Sequence, residues 1–285
     1  MNAKFYSLHN EMQTNDAKCV LKEMVNTFHW TDFEYILDVG SGPGDVTFNV
    51  IRPLIGISSY IVGSDISDDL VKFANAHYSS DNLKFKKLDI ESYDIWDNWK
   101  KESFDKIFSF YCLHWIQNIR QATVNIYNLL KPGGDILLVM LAKNPLYLLF
   151  KIMSRLHTWS AYLKDVENLR SPFQTSMSAV QDFTRILESV QFTEVSVVNK
   201  ECKFTFSSTD SMLKLIFFFF FFFFLDAIQA VTPFLDKIPN NLHARFIEDL
   251  QNCIPQCSFT NVKEDGSWEV RYTLIVAKAS KMNNH

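Results

Sequence analysis

Short apolar runs alternate with helical patterns through the first half of the chain, and this alternation constrains the fold more than any other feature. Such alternation is typical of βαβ units, which place parallel strands in one sheet. Strands are predicted over Tyr35–Val39, Tyr60–Asp65, Leu83–Leu88, Phe104–Phe110 and Gly134–Leu141. Helices are predicted over Val46–Pro53, Asp69–His77 and Arg120–Leu130, with a turn at Lys131–Gly134 before the fifth strand. We therefore expect an α/β fold with a mostly parallel sheet.

The alternation ends at Asn144-Pro145. Beyond it, helices are predicted over Leu146–Leu163, Ser178–Ser189 and parts of Ser211–Leu250, and strands over Phe192–Phe206 and Ser267–Ala277. Ser178 is a residue type that favours the N-cap position of a helix. We expect residues 1–144 to form the ligand-binding core together with an N-terminal segment that contacts the substrate. Residues 145–285 then supply helical cap elements interleaved with the final strands of the same sheet.

Composition excludes several classes of protein. A net charge of -4 gives no basic surface for general nucleic-acid binding. The opening residues are mixed and polar, so we do not expect a secretion signal. The five cysteines have no partners at zinc-binding spacing, and we expect reduced thiols in a cytoplasmic protein without a metal site.

A run of eight phenylalanines, Phe217–Phe224, lies within the apolar segment Leu215–Leu225. As a helix this segment would be about 16 Å long, which is about half of a bilayer core, so we do not expect a transmembrane span. A run that is apolar on every face must be buried or becomes an aggregation hazard. It is interpreted either as a contact with a membrane or lipid-like substrate, or as a passive or artefactual insertion.

The loop from Asp38 to Asp45 is predicted to lie between a strand and a helix. Gly40, Gly42 and Gly44 allow a sharp turn and a close approach of a ligand to the main chain. Their G-x-G-x-G spacing differs from the G-x-G-x-x-G of dinucleotide sites. The flanking carboxylates would repel a pyrophosphate and suit a ligand with cationic groups. The loop therefore favours S-adenosylmethionine (SAM), with its ammonium and sulfonium groups, over NAD.

Acidic residues also end the second and third predicted strands. Asp65, about twenty residues after Gly44, is placed to accept the ribose hydroxyls, and Ile66 follows it in the predicted cofactor site. Asp89 is interpreted either as the acceptor of the adenine amino group or as a solvated loop acid. Ile90 is predicted to cover the face of the adenine ring.

The chain resembles the class I SAM-dependent methyltransferases in the order of the segments ILDVGSGPGD, VGSD, KLDIE, FDKIFSFYCLHW and LLKPGG. More narrowly, FSFYCLHWIQN, NIYNLLKPGGDILLVMLAKNP and VTPFLDKIP resemble the arthropod juvenile hormone acid O-methyltransferases. The resemblance extends from Tyr6 to Lys278 and is interrupted at the phenylalanine run. It implies a Rossmann-like sheet whose last strand is antiparallel, a helical substrate cap, SAM as cofactor and a small hydrophobic carboxylic acid as substrate.

The fourth predicted strand ends in Tyr111–Trp115, at the edge of the sheet where ligands of open α/β folds bind. A carboxylic acid has a pKa of roughly 4–5 and is ionised near neutral pH, so its methylation needs no general base. It needs neutral donors that orient one oxygen, and the resemblance assigns that role to the Gln13 amide and the Trp115 indole. His114 either orients the acid or fills the end of the strand.

These features predict methyl transfer from SAM to the carboxylate of a farnesoic or juvenile-hormone-like isoprenoid acid. A fatty acid or another small acid as substrate stays open, and so does a non-catalytic SAM-binding protein. An NAD-dependent oxidoreductase does not fit the glycine spacing. A nucleic-acid amino-methyltransferase would carry Asn/Asp-Pro-Pro-aromatic where this chain has Tyr111-Cys112-Leu113-His114.

Overall fold

The computed structural model describes residues 10–56, 58–206, 237–264 and 268–283. These residues form an eight-stranded sheet with helices packed against it. The strands are β1 Tyr35–Val39, β2 Tyr60–Asp65, β3 Leu83–Lys87, β4 Phe104–Phe110, β5 Leu130–Leu141, β6 Phe192–Phe206, β7 Thr260–Val262 and β8 Trp268–Lys281. The α-helices are α1 Glu11–Met24, α2 Asp68–Tyr78, α3 Ile119–Leu129, α4 Pro145–Met153, α5 His157–Ser160, α6 Ala179–Ser189 and α7 His243–Cys253.

The strand order is β3-β2-β1-β4-β5-β8-β6, with β7 pairing to β8. Strands β1 to β5 run parallel, and β8 runs antiparallel to both β5 and β6. The predicted mostly parallel sheet with an antiparallel last strand is confirmed. The order reverses between β1 and β4, and ligands of open α/β sheets bind at such a reversal, outside the carboxyl ends of the strands.

The central strands are buried on both faces, as parallel strands covered by helices on two sides usually are. Ile36 and Leu137 pack on one side of the sheet with α1, whereas Leu37 and Ile136 pack on the other side with α3 and α6. This double coverage explains why consecutive residues are apolar in these strands, as at Ile36–Leu37, Ile107–Phe108 and Ile136–Leu141. The sheet is thereby a rigid support for the loops at its edge.

A third hydrophobic cluster lies outside these two layers, and we refer to it as the cap cluster. Its buried side chains are Leu149, Phe150, Met153, Trp159, Leu163, Val166, Leu169, Ile238, Phe246, Leu250, Cys253, Ile254 and Cys257. They come from α4, α5, α7 and the segments between them. Among the described residues, no helix is both long enough and apolar enough to cross a membrane.

The single helix predicted over Leu146–Leu163 is wrong, because the chain forms α4 and the short α5 with a turn between them. The hydroxyl of Ser154 donates to the carbonyl of Lys151 at 2.9 Å, a local bond that competes with continued helix. Leu156 then adopts an extended conformation before α5 begins. The apolar pattern continues through this turn, which is why periodicity did not reveal it.

Three further predictions need correction. Ser178 occupies the N-cap position of α6, but its side chain makes no capping hydrogen bond. The neighbouring hydroxyl of Ser176 donates to the Asp182 carboxylate, in the first turn of α6, at 2.6 Å. Lys131–Gly134 forms an irregularity within β5 rather than a separate turn. The helix predicted from Val46 is a π-helix over Thr47–Ile51 followed by a 3-10 turn. The phenylalanine run and the helices predicted around it, α7 excepted, lie outside the described residues.

Candidate active site

The glycine loop leaves β1 at the carboxyl edge of the sheet. The backbone N–H groups of Gly40 and Ser41 donate to the carbonyl of Ser64 at 2.7 and 2.8 Å, which ties the loop to β2. Positive φ angles of 75°, 57° and 92° occur at Gly40, Gly42 and Gly44. A Cβ at Gly40 would lie 2.2 Å from the Cβ of Cys112. Only glycine therefore lets the loop pack against the segment that follows β4.

Three carboxylates, Asp38, Asp45 and Asp65, flank this loop. Asp38 is 2% exposed and its Oδ2 accepts a hydrogen bond of 2.6 Å from the hydroxyl of Thr47. Burial raises the pKa of Asp38 to about 7, with a further contribution from the charges of Asp65 and Asp45. Burial also raises the pKa of Asp45 and of Asp65. Among the described residues, the groups that offset this concentration of negative charge are neutral hydrogen-bond donors.

Asp65 ends β2 and is held between the glycine loop and α2. Its Oδ2 accepts from the N–H of Gly42 at 3.1 Å, and its Oδ1 accepts from the N–H of Ser67 at 2.9 Å. Each carboxylate oxygen retains further acceptor capacity. Ile66, beside it, is 59% exposed at the sheet edge.

Asp89 and Ile90 follow β3, the strand that pairs with β2. Asp89 is half-buried, and its Oδ1 accepts from the N–H of Glu91 at 3.2 Å. Ile90 is buried in the core, and its carbonyl accepts from the side-chain amide of Asn125 at 2.8 Å. The two neighbours therefore differ in kind, one polar and accessible, the other part of the packed interior.

The segment after β4 places His114 and Trp115 against each other, with ring centroids 4.9 Å apart. His114 is 2% exposed, and its Nδ1 has no hydrogen-bond partner among the described residues. Burial lowers the pKa of His114 to about 3, so its imidazole is neutral at physiological pH. Trp115 is half-buried and packs against the cap cluster.

Helix α1 joins the glycine loop to the end of β4. Asn10, its N-cap residue, donates from its side-chain amide to the Asp45 carboxylate. One helical turn further, Gln13 is half-buried, and its buried Oε1 has no partner in the described part of the chain. The Asp16 carboxylate then accepts the hydroxyl of Tyr111, at the end of β4. Gln13 thus lies between two anchor points of the site.

The structure therefore brings the predicted residues together to different extents. His114 and Trp115 are in contact, whereas Gln13 is connected to them through its helix and Tyr111. Sequence reasoning missed Asn10 and Thr47, which bond Asp45 and Asp38, and Asp16, which accepts from Tyr111 and from Tyr272 on β8. Of these, Asp16 had a detectable signal, because residues three apart on a helix share a face with Gln13.

These residues fit SAM. The pKa values of the three carboxylates are raised chiefly by burial, and a cationic ligand would favour their ionised forms. A pyrophosphate would instead add negative charge to the same loop. The buried hydroxyl of Ser41, within the loop, has no partner among the described residues and is available to a ligand.

A family model described as a methyltransferase domain matches residues 32–199. The juvenile hormone acid O-methyltransferase of Drosophila melanogaster is 36% identical over 285 residues, covering 98% of this chain and 92% of the fly protein. That of Bombyx mori is 30% identical over 292 residues, covering 99% of this chain and 98% of the silkworm protein.

Solved structures agree in fold. The YcgJ protein of Bacillus subtilis superposes with a TM-score of 0.56 at 18% identity, covering 93% of this chain and 98% of that one. Phosphoethanolamine N-methyltransferase 2 of Haemonchus contortus, solved with SAM, gives 0.53 at 16% identity, covering 94% of this chain and 53% of that one. At these identities the likeness concerns the fold alone. The near full-length sequence identity carries the assignment: this chain is a class I SAM-dependent methyltransferase and belongs to the juvenile hormone acid O-methyltransferase family.

Proposed function

We propose that this methyltransferase esterifies the carboxylate of a hydrophobic isoprenoid acid of the farnesoic or juvenile-hormone type. Two relatives that match nearly the whole chain carry the name juvenile hormone acid O-methyltransferase. One structural observation carries the proposal. Buried polar atoms of Gln13 and His114 have no partners among the described residues, at the sheet edge where a substrate is expected.

The proposed cofactor site lies at the carboxyl ends of β1, β2 and β3. Its residues are Asp38, Gly40, Gly42, Gly44, Asp65, Ile66, Asp89 and Ile90. SAM supplies a methyl group made electrophilic by its bond to a sulfonium sulfur. Asp38 and the glycine loop hold the cationic end of the cofactor, and the free acceptor positions of Asp65 bind the ribose hydroxyls. Asp89 accepts the adenine amino group, with Ile90 as the apolar support behind the ring.

The acid is held by neutral donors. With a pKa of roughly 4–5, it is already ionised at neutral pH and needs no proton acceptor. His114 stays neutral, since burial lowers its pKa to about 3, and it therefore orients the acid without pairing it with a full charge. The Trp115 indole donates to one carboxylate oxygen. A flip of the Gln13 amide exchanges its oxygen and its nitrogen. The NH2 group then occupies the buried position and becomes the second donor.

We also propose a division of labour along the chain. Residues 1–144 bind the cofactor and fix the acid carboxylate, while the cap elements within residues 145–285 contact the apolar chain of the substrate. Phe150, Met153 and Trp159 are fully buried inside the cap cluster, so the half-buried Tyr147 and Tyr162 are the candidates to face a substrate. The free cysteines accord with the reducing cytosol, which we propose as the compartment.

Substitution of the two donors tests this proposal. Gln13→Ala and Trp115→Phe should each lower kcat for farnesoic acid by about tenfold or more, because a lost hydrogen bond is worth about 1 kcal/mol and a misplaced acid reacts more slowly. The Kd of SAM, measured by titration calorimetry, should stay within about twofold, since neither residue belongs to the cofactor site.

Two substitutions outside the site are the matched controls. Gln256→Ala changes an exposed glutamine bonded to the carbonyl of Asn252, and Trp96→Phe changes a half-buried tryptophan beside Lys101. Both should retain the kcat of the unmodified chain. Full activity in both Gln13→Ala and Trp115→Phe would show that these donors do not hold the acid.

A further inference from the structure

One carboxylate oxygen of Asp16 joins three separate elements of the active site. Oδ2 accepts the hydroxyl of Tyr111, after β4, and the hydroxyl of Tyr272, on β8, the latter at 2.7 Å. Both tyrosines are buried, and burial raises the pKa of each, so both hydroxyls stay protonated and donate. Asp16 itself lies on α1. This atom therefore ties α1 to β8 and to the end of β4, in addition to the apolar contacts of α1 with the sheet and the ion pair of Glu23 with Lys200.

Tyr111 has a backbone conformation that its surroundings must enforce. Its φ is 56°, in the left-handed region that residues other than glycine rarely adopt. Its N–H donates to the carbonyl of Val139 at 2.9 Å, and its hydroxyl is held by Asp16. The kink at Tyr111 directly precedes the turn that carries His114 and Trp115, and the ring of Tyr111 packs edge-on to His114 with centroids 5.9 Å apart. The direction of that turn thus depends on how Tyr111 is held.

Asp16 lies on the same helix as Gln13, one turn away. The two residues are three apart on α1 and so project from the same face of the helix. A rotation or shift of α1 about Asp16 would therefore move Gln13 relative to the turn after β4. The hydroxyl bonds from Tyr111 and from Tyr272 to α1 meet at the same carboxylate.

We propose that Asp16, with Tyr111 and Tyr272 as its donors, is a positioning residue that sets the spacing between Gln13 and Trp115 for the carboxylate of the acid. The inference rests on the proposed function, in which those two side chains bind the acid. Because the tyrosine hydroxyls donate to Asp16, they are not themselves the donors to the substrate. Asp16 acts through the geometry of others and touches neither substrate nor cofactor.

The test measures kcat for farnesoic acid and the Kd of SAM in the full chain. Asp16→Asn and Tyr111→Phe should each lower kcat by about 10- to 100-fold, the effect expected when a bound reactant is misplaced by about 1 Å. The Kd of SAM should change by less than about twofold. The double variant should be no slower than the slower single variant, because both substitutions act on the same bond, Asp16→Asn by removing the charge of its acceptor and Tyr111→Phe by removing its donor.

Tyr272→Phe removes one of the two donors and leaves the bond from Tyr111, so its loss of kcat should be intermediate, and this milder variant serves if Asp16→Asn does not fold. Asp105→Asn is the matched control. It lies at the opposite end of β4 and accepts from the N–H of Tyr35 at 2.8 Å and from Lys131. Its kcat should equal that of the unmodified chain.

Two results would overturn the inference. One is an unchanged kcat in both Asp16→Asn and Tyr272→Phe, while Gln13→Ala is slow, which would leave the donor pair standing without its positioning residue. The other is a multiplicative loss in the double variant accompanied by weaker SAM binding, which would mark a general structural role. If Gln13→Ala and Trp115→Phe are fully active, the proposed function fails instead, and the inference fails with it.

Discussion

The charge of Asp38 depends on its burial. The carboxylate is 2% exposed and accepts one hydroxyl from Thr47, which is too little to offset its removal from water and its proximity to Asp45 and Asp65. Its pKa of about 7 means that part of the population is protonated at neutral pH. A cationic ligand favours the ionised form, so binding releases a proton wherever Asp38 is protonated in the free protein.

We therefore predict that the affinity for SAM falls as the pH drops from about 7.5 to 5.5. Below about pH 7 the proton on Asp38 must leave before the cofactor binds, and Kd should rise by up to about tenfold per pH unit. Titration calorimetry across this pH range measures how steeply the Kd of SAM changes with pH. Asp38→Asn should bind SAM more weakly at pH 7.5 and with a shallower slope, whereas the exposed Asp69→Asn should behave as the unmodified chain. A flat profile in the unmodified chain would contradict the assignment.

Among individual residues, the sequence predicted features that depend on neighbouring positions and missed contacts between residues far apart in the chain. The glycine loop, Asp38 and Asp65 could be proposed as a cofactor site because they lie at the ends of predicted strands. The bond between Asp16 and Tyr272 joins residues 256 positions apart, and no local pattern indicates it. The burial of His114, which keeps its imidazole neutral, likewise depends on neighbours that only the fold brings together.

Trp159 is a large residue that joins two helices of the cap cluster. Trp159 is fully buried, its indole N–H donates to Asp249 of α7 at 2.8 Å, and its ring lies edge-on to Phe246 with centroids 5.1 Å apart. These contacts join α5 to α7 within the cap cluster. The glycine loop and its acids belong to a different part of the chain, so the cap and the cofactor site should respond separately to substitution.

Truncation of Trp159 tests whether the cap and the cofactor site respond separately to substitution. Trp159→Ala should lower the free energy of unfolding by about 3–5 kcal/mol and raise the KM for the acid, because the packing of the cap is lost. The Kd of SAM should change little. Thermal unfolding, calorimetry and steady-state kinetics measure the three quantities, with Trp159→Phe as the milder variant. Parallel loss of SAM affinity and acid binding would show that cap and cofactor site form one cooperative unit.

Strands were more predictable than helices for a physical reason. β1, β2, β4 and β6 have the predicted bounds, and in the first three a mostly buried run ends sharply at a turn or an acidic residue. The helical pattern of Leu146–Leu163 hides a turn, since apolar side chains on both α4 and α5 pack into the same cluster. Hydrophobic periodicity indicates which face of a segment is buried. It therefore does not reveal a turn after which the same face stays buried.

Across the whole molecule, the site is assembled where the strand order reverses between β1 and β4. The cofactor loop and the turn carrying Trp115 follow those two neighbouring strands, and the contact between Gly40 and Cys112 joins them. Helix α1 reaches both through Asn10 and Asp16, and the cap cluster packs against Trp115. The fold class was predictable from alternation alone, whereas the closing of the site by the N-terminal helix required the structure.

The most direct test of the account is methyl transfer from labelled SAM to a panel of acids. The panel contains farnesoic acid, a juvenile hormone acid, a medium-chain fatty acid and trans-aconitate, and the product is measured as labelled methyl ester. We predict ester mainly from the two isoprenoid acids, because the proposed neutral donors would fix the carboxylate and the proposed cap would contact an apolar chain. Ester mainly from trans-aconitate, or none from any acid while SAM still binds, would contradict the account.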